Sequence, residues 1–265
     1  MPDPLVVIAL GFFLGMRHAT DADHVIALTT IVARQQRMRH AALTGLLWGV
    51  GHSLTVVTVG AAIILFNVTI PERLGLGMEL SVAVMLVVLG LLNIGAFLRV
   101  RPAGWRRASD VSKQVHAHPH SHGDYVHSHP HGHEPDLHPH APDQTPLATL
   151  DRRFGRFRVY GSMRPVVIGV VHGLAGSAAV TLLIVAAVRE PSWAIAYLLV
   201  FGIGTVAGMM IITISLASAF RLAAGRSEKL SRGLALAAGL ASVAFGIVFG
   251  YQVWTSAGSP AGGAQ

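Results

Sequence analysis

The sequence predicts an all-α membrane protein with six transmembrane helices. Three observations carry that prediction: an apolar, charge-poor composition, six apolar runs of membrane-spanning length, and basic residues confined to alternate connections. Of the 265 residues, 52% are hydrophobic and only 12% charged, with a mean hydropathy of +0.55, too little charge to cover a soluble domain of this length. A helix rises about 1.5 Å per residue, so about 20 apolar residues cross the hydrocarbon. Segments 5–30, 41–66, 76–98, 164–188, 193–220 and 234–254 qualify. The first apolar run has no basic stretch before it and no small-residue cleavage site before RHATDADH, so it reads as a retained helix rather than a signal peptide.

The net charge of +7 is topological information, not a nucleic-acid footprint, and no nucleic-acid partner is expected. Arg34, Arg37 and Arg39 follow the first segment; Arg99, Arg101, Arg106, Arg107 and Lys113 follow the third; Arg152, Arg153, Arg156, Arg158 and Arg164 precede the fourth; Arg221, Arg226, Lys229 and Arg232 separate the fifth from the sixth. These connections share one side. The others hold only Arg73 beside Glu72 and Arg189 beside Glu190. The positive-inside rule then predicts an inner (plasma) membrane protein with both termini outside and the long loop in the cytoplasm.

That loop, 99–162, divides the chain into a first three-helix half (1–98) and a second (163–265). It is rich in Pro, His, Asp and Arg and too poor in apolar residues to fold compactly, so it is expected to be disordered. The halves align: His18 falls on His172, ALTTIVA (27–33) on TLLIVAA (181–187), WGVG (48–51) on FGIG (201–204) and LGLLNIG (89–95) near FGIVFG (245–250), at offsets of 153 to 156 residues. An odd number of helices per copy forces opposite insertion, which predicts a 3+3 inverted repeat with its site at mid-membrane.

The first segment carries Arg17, His18, Asp21, Asp23 and His24 amid apolar residues. Ionisable groups within the bilayer are expensive, so such a cluster is a functional site by default. On a continuous helix, His18, Asp21 and His24 share one face spanning about 120°. Asp23 then points elsewhere, either bracing a ligand from behind or brought in by local unwinding. His52 in GVGHSLTVV and His172 in GVVHGLAGSAAV stand alone on apolar helices between small residues, as close approach to a path would require. Hydrogen bonding between helices accounts for Asn93, Ser53, Ser177 and Thr181. With no cysteine in the chain, a metal must be held by nitrogen and oxygen, and imidazoles with a carboxylate suit nickel, cobalt, zinc or copper better than magnesium or calcium. The loop adds ten histidines, His116, His118, His120, His122, His127, His129, His131, His133, His138 and His140, mostly at every second position. Such an array offers overlapping weak sites for metal capture.

RHATDADH, with H-x-x-x-x-D-H at His18, Asp23 and His24, resembles the signature of the nickel/cobalt transporter family, and GHS at 51–53 resembles its second motif. HGLAGSAAV resembles a divergent branch of that family that includes urease-accessory-like membrane proteins. The resemblance implies a metal role for His18, Asp23 and His24, and for His52. It implies a secondary transporter, not an enzyme, carrying Ni2+ or Co2+, with Zn2+ as an alternative cargo and no permanent cofactor. No phosphate-binding G-x-x-x-x-G-K-[ST] occurs, so an ion gradient or the metal's own gradient is the expected drive. A loop that captures ions on the donor side favours export, although it also fits an importer buffering arrivals. The competing readings are a non-transporting membrane metal sensor or urease-assembly partner, and an intramembrane metalloenzyme with Asp23 as base. Besides metal and lipid bilayer, the candidate partners are a second copy of the chain and a cytoplasmic metallochaperone.

Overall fold

The computed structural model describes residues 4–33, 38–66, 70–99, 116–122, 125–131, 163–175 and 190–258. They form seven helices and one hairpin: α1 (Pro4–His18), α2 (Ala22–Val32), α3 (Met38–Phe66), α4 (Glu72–Arg99), β1 (His116–His122), β2 (Tyr125–His131), α5 (Met163–Ala175), α6 (Pro191–Arg226) and α7 (Glu228–Gly258). Four helices are long and apolar enough to cross a membrane: Met38–Phe66, Arg73–Gly95, Pro191–Arg226 and Lys229–Ser256. Their outward residues, among them Leu54, Val84, Leu91, Ile203, Ile211 and Ile247, are large and apolar, which suits a surface facing lipid.

Three expectations need correction. The first segment is not one helix over 5–30 but two, because the chain leaves helical geometry between His18 and Ala22. Thr20 and Asp21 carry short polar side chains that compete with the helical ladder. The Thr20 hydroxyl donates to the Arg17 carbonyl at 2.6 Å, the Thr20 and Asp21 amides close tight turns onto Arg17 and His18, and Asp21 is extended at ψ 146°. The loop is not wholly irregular. β1 and β2 pair antiparallel, with His116 opposite His131, His118 opposite His129 and His120 opposite His127; alternation at every second position is the period of a strand. The basic connection between the fifth and sixth segments narrows to Ser227, extended between α6 and α7, so Arg221 and Arg226 lie in α6 and Lys229 and Arg232 in α7. The expected fourth segment is described as α5; its continuation to 188, with Ser177 and Thr181, lies outside the described residues.

Helix packing explains how the site is assembled. α1 and α3 both pack on α6, and α4 packs on α7. Glycines let these backbones meet. A Cβ on Gly15 of α1 would drive into the Phe201 carbonyl of α6, and one on Gly204 of α6 into the Phe12 carbonyl of α1. Gly169 and Gly173 of α5 lie against the Trp48 and His52 carbonyls of α3, and Gly51 of α3 against the Val166 carbonyl of α5. In lipid, where the hydrophobic effect no longer drives association, such contact is the main attraction between helices. Hydrogen bonds add to it: Ser53 donates to the Gly202 carbonyl at 3.0 Å, Ser242 to Leu86 at 2.7 Å, Asn93 to Ala235 at 3.0 Å and Thr55 to Val170 at 3.3 Å. Ser53 and Asn93 thus hold helices together, as the sequence predicts.

These contacts yield a paired test. Gly204→Ala and Gly15→Ala should each destabilise the folded protein in detergent by about 1–3 kcal/mol, the usual range for overpacking. Gly75→Ala, where an added Cβ meets nothing within 4 Å, should leave thermal stability unchanged or slightly raised. Thermal unfolding of the three variants reads the difference, and equal effects would refute the packing account.

Candidate metal centre

The broken first helix and the glycine contacts bring together His18, Asp21, Asp23, His24, His52 and His172. α1 ends at His18, Asp21 precedes α2, and Asp23 and His24 open its first turn. α3 contributes His52 and α5 contributes His172. His24, His52 and His172 are almost fully buried, at 2%, 0% and 1% exposure, whereas the side chains of His18, Asp23 and Asp21 are 13%, 29% and 54% exposed. The site therefore has a dry imidazole interior edged by two carboxylates.

Its hydrogen bonds fix the ring nitrogens in sequence. Asp23 Oδ1 accepts from the His24 backbone amide at 3.0 Å and faces His24 Nδ1 at 3.0 Å, while Oδ2 faces His172 Nε2 at 3.0 Å. An ionised carboxylate only accepts, so both rings donate to it, and their remaining nitrogens carry the lone pairs. Those are His24 Nε2 and His172 Nδ1, both buried without a hydrogen-bond partner among the described residues. On the other side, His18 Nδ1 donates to Asp21 Oδ2 at 2.8 Å, which leaves His18 Nε2 to accept from His52 Nε2 at 3.1 Å. The lone pair of His52 is then on Nδ1, also buried and unpartnered. Each orphaned acceptor costs about 1–3 kcal/mol, and three of them in one dry place is the chemistry of a site awaiting a Lewis acid. Two triads have mutual donor distances within 4.8 Å: His18, His24 and His52, and Asp23, His24 and His172.

Of the two possibilities the sequence left for Asp23, both features are present: the helix unwinds before it, and its oxygens brace the His24 and His172 rings. Asp21 reaches His18 but stays half in the open. Two neighbours were missed. Trp48 stacks on His24 with ring centres 6.4 Å apart and meets His172 edge-on at 5.6 Å, and Phe201 lies 5.4 Å from the His18 ring. The signal was present, since Trp48 is four residues before His52 and so on the same helical face, and WGVG aligns with FGIG. Of the loop histidines, seven lie in β1 and β2, and His133, His138 and His140 fall outside the described residues.

A helical, multi-pass membrane protein with a dry cluster of imidazoles and carboxylate has the donor set of proteins that handle transition-metal ions. Comparison with known proteins makes this specific: over residues 5–213 the chain matches the NicO family of high-affinity nickel-transport proteins, and it belongs to that family. The family is one of transporters, not enzymes. The chain is 31% identical over 260 residues to the urease accessory protein UreH of Bacillus sp. (strain TB-90), covering 97% of this chain and 95% of that protein. It is 33% identical over 110 residues to the high-affinity nickel transport protein of Cupriavidus necator, covering 36% of this chain and 31% of that protein. No solved structure matches.

Asp23→Asn tests the carboxylate's part. An amide offers one acceptor and one donor where two acceptors are needed, so one imidazole must reverse its tautomer and lose its inward lone pair. Affinity for Ni2+, read by competition with a coloured chelator, should fall about 10- to 100-fold, as losses of bracing partners do. Asp21→Asn, where water replaces the lost oxygen, should cost much less.

Proposed function

We propose that the chain is a secondary transporter of Ni2+ that passes the ion through the His18, His24, His52, His172 and Asp23 cluster, with Asp21 at its edge. The observation that carries this reading is the set of three buried imidazole nitrogens, unpartnered among the described residues, at the break between α1 and α2. Discontinuous helices serve many transporters this way, because half-helix ends and freed backbone groups form a site at mid-membrane. Nitrogen-rich ligation suits Ni2+, and also Co2+ or Zn2+, over hard cations.

The six-span, inverted-repeat architecture is part of the proposal, and paired contacts support it. At the offsets read from the sequence, Gly15 under Phe201 becomes Gly169 under Trp48, Gly204 under Phe12 becomes Gly51 under Val166, and Gly49 against Val206 becomes Gly202 against Ser53. In α4 and α7, Gly90 against Val243 becomes Gly246 against Val87. His18 beside Phe201 becomes His172 beside Trp48. A pseudo-two-fold relation exchanges the members of each pair.

For direction, the relative named as a urease accessory protein favours inward movement, supplying nickel to a metalloenzyme, over the export that a donor-side loop favours. With the termini outside and the loop in the cytoplasm, the loop histidines then receive arriving ions. A urease-assembly role is the second reading, favoured by the same relative; it needs no flux.

Uptake of radioactive nickel by intact cells and by proteoliposomes tests the whole. Wild-type chain should raise uptake; His18→Ala, Asp23→Asn and His24→Ala should each reduce it at least about tenfold while still reaching the membrane, and His52→Ala and His172→Ala should reduce it less. Deleting 116–140 should leave metal preference and maximal flux intact and change only the half-saturating concentration on the loop side. Lowering the pH on that side from about 7.5 to about 5.5, across the ordinary histidine pKa of about 6.5, should mimic the deletion. Absence of flux in wild-type proteoliposomes that still bind nickel would favour the assembly role.

A further inference from the structure

The two triads share His24 and nothing else, and that overlap has a chemical consequence. A neutral imidazole has one lone pair, so His24 serves one triad at a time. Donors about 2.1 Å from a single ion lie at most about 4 Å apart, so each triad, already within 4.8 Å, has its residues close enough to share an ion once their rings turn lone pairs toward it. Each triad also has its own partly exposed carboxylate. Asp21, at 54%, is bonded to His18 of the first, and Asp23, at 29%, belongs to the second. Between these edges lie the dry rings of His24, His52 and His172.

We infer, building on the transporter reading, that the metal occupies two alternate positions, one at His18, His24 and His52 and one at Asp23, His24 and His172, and that His24 passes it between them. In the first position His24 Nε2 presents its lone pair while Asp23 holds the Nδ1–H of that ring; His52 turns about its Cβ–Cγ bond to bring its Nδ1 lone pair to the ion, which withdraws its Nε2–H and frees His18 Nε2 to bind as well. Moving the ion to the second position requires His24 and His172 to turn about their Cβ–Cγ bonds, torsions with broad minima, so that their lone pairs join the Asp23 oxygens now released from hydrogen bonding. No proton changes hands in these turns. The exchange replaces an all-nitrogen set by two nitrogens and a carboxylate, so the ion changes its ligands without a fully stripped intermediate, since His24 is common to both.

Co2+ serves as the probe, because its visible absorption reports ligand type and number. In the full-length protein in detergent, difference spectra are taken against His24→Ala, which removes the shared ligand and cancels ions held elsewhere. Wild type should bind a single equivalent above that baseline, with two overlapping absorption components. His52→Ala should remove one component and His172→Ala the other, each leaving roughly half or more of the cobalt bound but lowering flux several-fold. Two equivalents bound together, or one component lost identically in both variants, would overturn the relay in favour of independent sites or one compact site, with the transporter reading intact. If wild type and His24→Ala give the same spectrum while nickel flux persists, the relay is again wrong; if flux is absent too, the transporter reading falls with it.

Discussion

The interruption of the first helix between His18 and Ala22 is the constraint on which the rest of the site depends. Within a bilayer, backbone amides and carbonyls must find partners inside the protein, and irregular backbone is tolerated only where it is buried or lines a cavity. Here the turn bonds of Thr20 and Asp21 and the Thr20 hydroxyl supply those partners. The break places a helix C-terminus, with its partial negative charge, at His18, and a helix N-terminus, with its partial positive charge, at Asp23. It also re-aims Asp23, which a continuous helix would have turned away from the His18 face. One carboxylate then holds imidazoles from two separate helices, with its third contact satisfying the His24 amide at the start of α2.

The scaffold around the break works by proximity rather than by apolar burial, since lipid is as apolar as a leucine side chain. Glycines on α1, α3, α5 and α6 let backbones touch, and the same contacts set the depth of His52 and His172 relative to His24. Trp48 closes the arrangement from α3, packed with Ala27, Leu28, Val82 and Leu86 in a fully buried cluster. Its indole packs against the His24 and His172 rings. On the proposed reading, the rings replace the water of a hydrated cation, and with no thiolate to hold it tightly the ion can leave.

Much of this was legible in the sequence, for reasons that differ by residue. Ionisable groups in an apolar segment are costly enough to announce themselves, which singled out His18, Asp21, Asp23 and His24, while small neighbours on apolar helices singled out His52 and His172, and the fold brings these six side chains together. What composition could not reveal was the break itself, because Thr20 and Asp21 are tolerated in helices and their preference for turns is decided by tertiary contacts. The roles of Asp21 and Asp23 followed from the break and were open for the same reason. Trp48 and Phe201 were not singled out, because only the fold locates the rings they touch. The hairpin of β1 and β2 was missed because polarity argued against structure while the alternation of histidines carried the strand period.

The central claim is that a metal ion binds at the broken helix and not merely in the loop. X-ray absorption at the nickel edge, on full-length protein loaded with one equivalent, reads the ligands directly. The account predicts imidazole scattering at about 2.0–2.1 Å, the bond length of imidazole to a comparable divalent ion, which persists when 116–140 is deleted and disappears when His24→Ala is added to that deletion. A spectrum indifferent to His24→Ala and abolished by deleting 116–140 would place the ion in the loop and contradict the account.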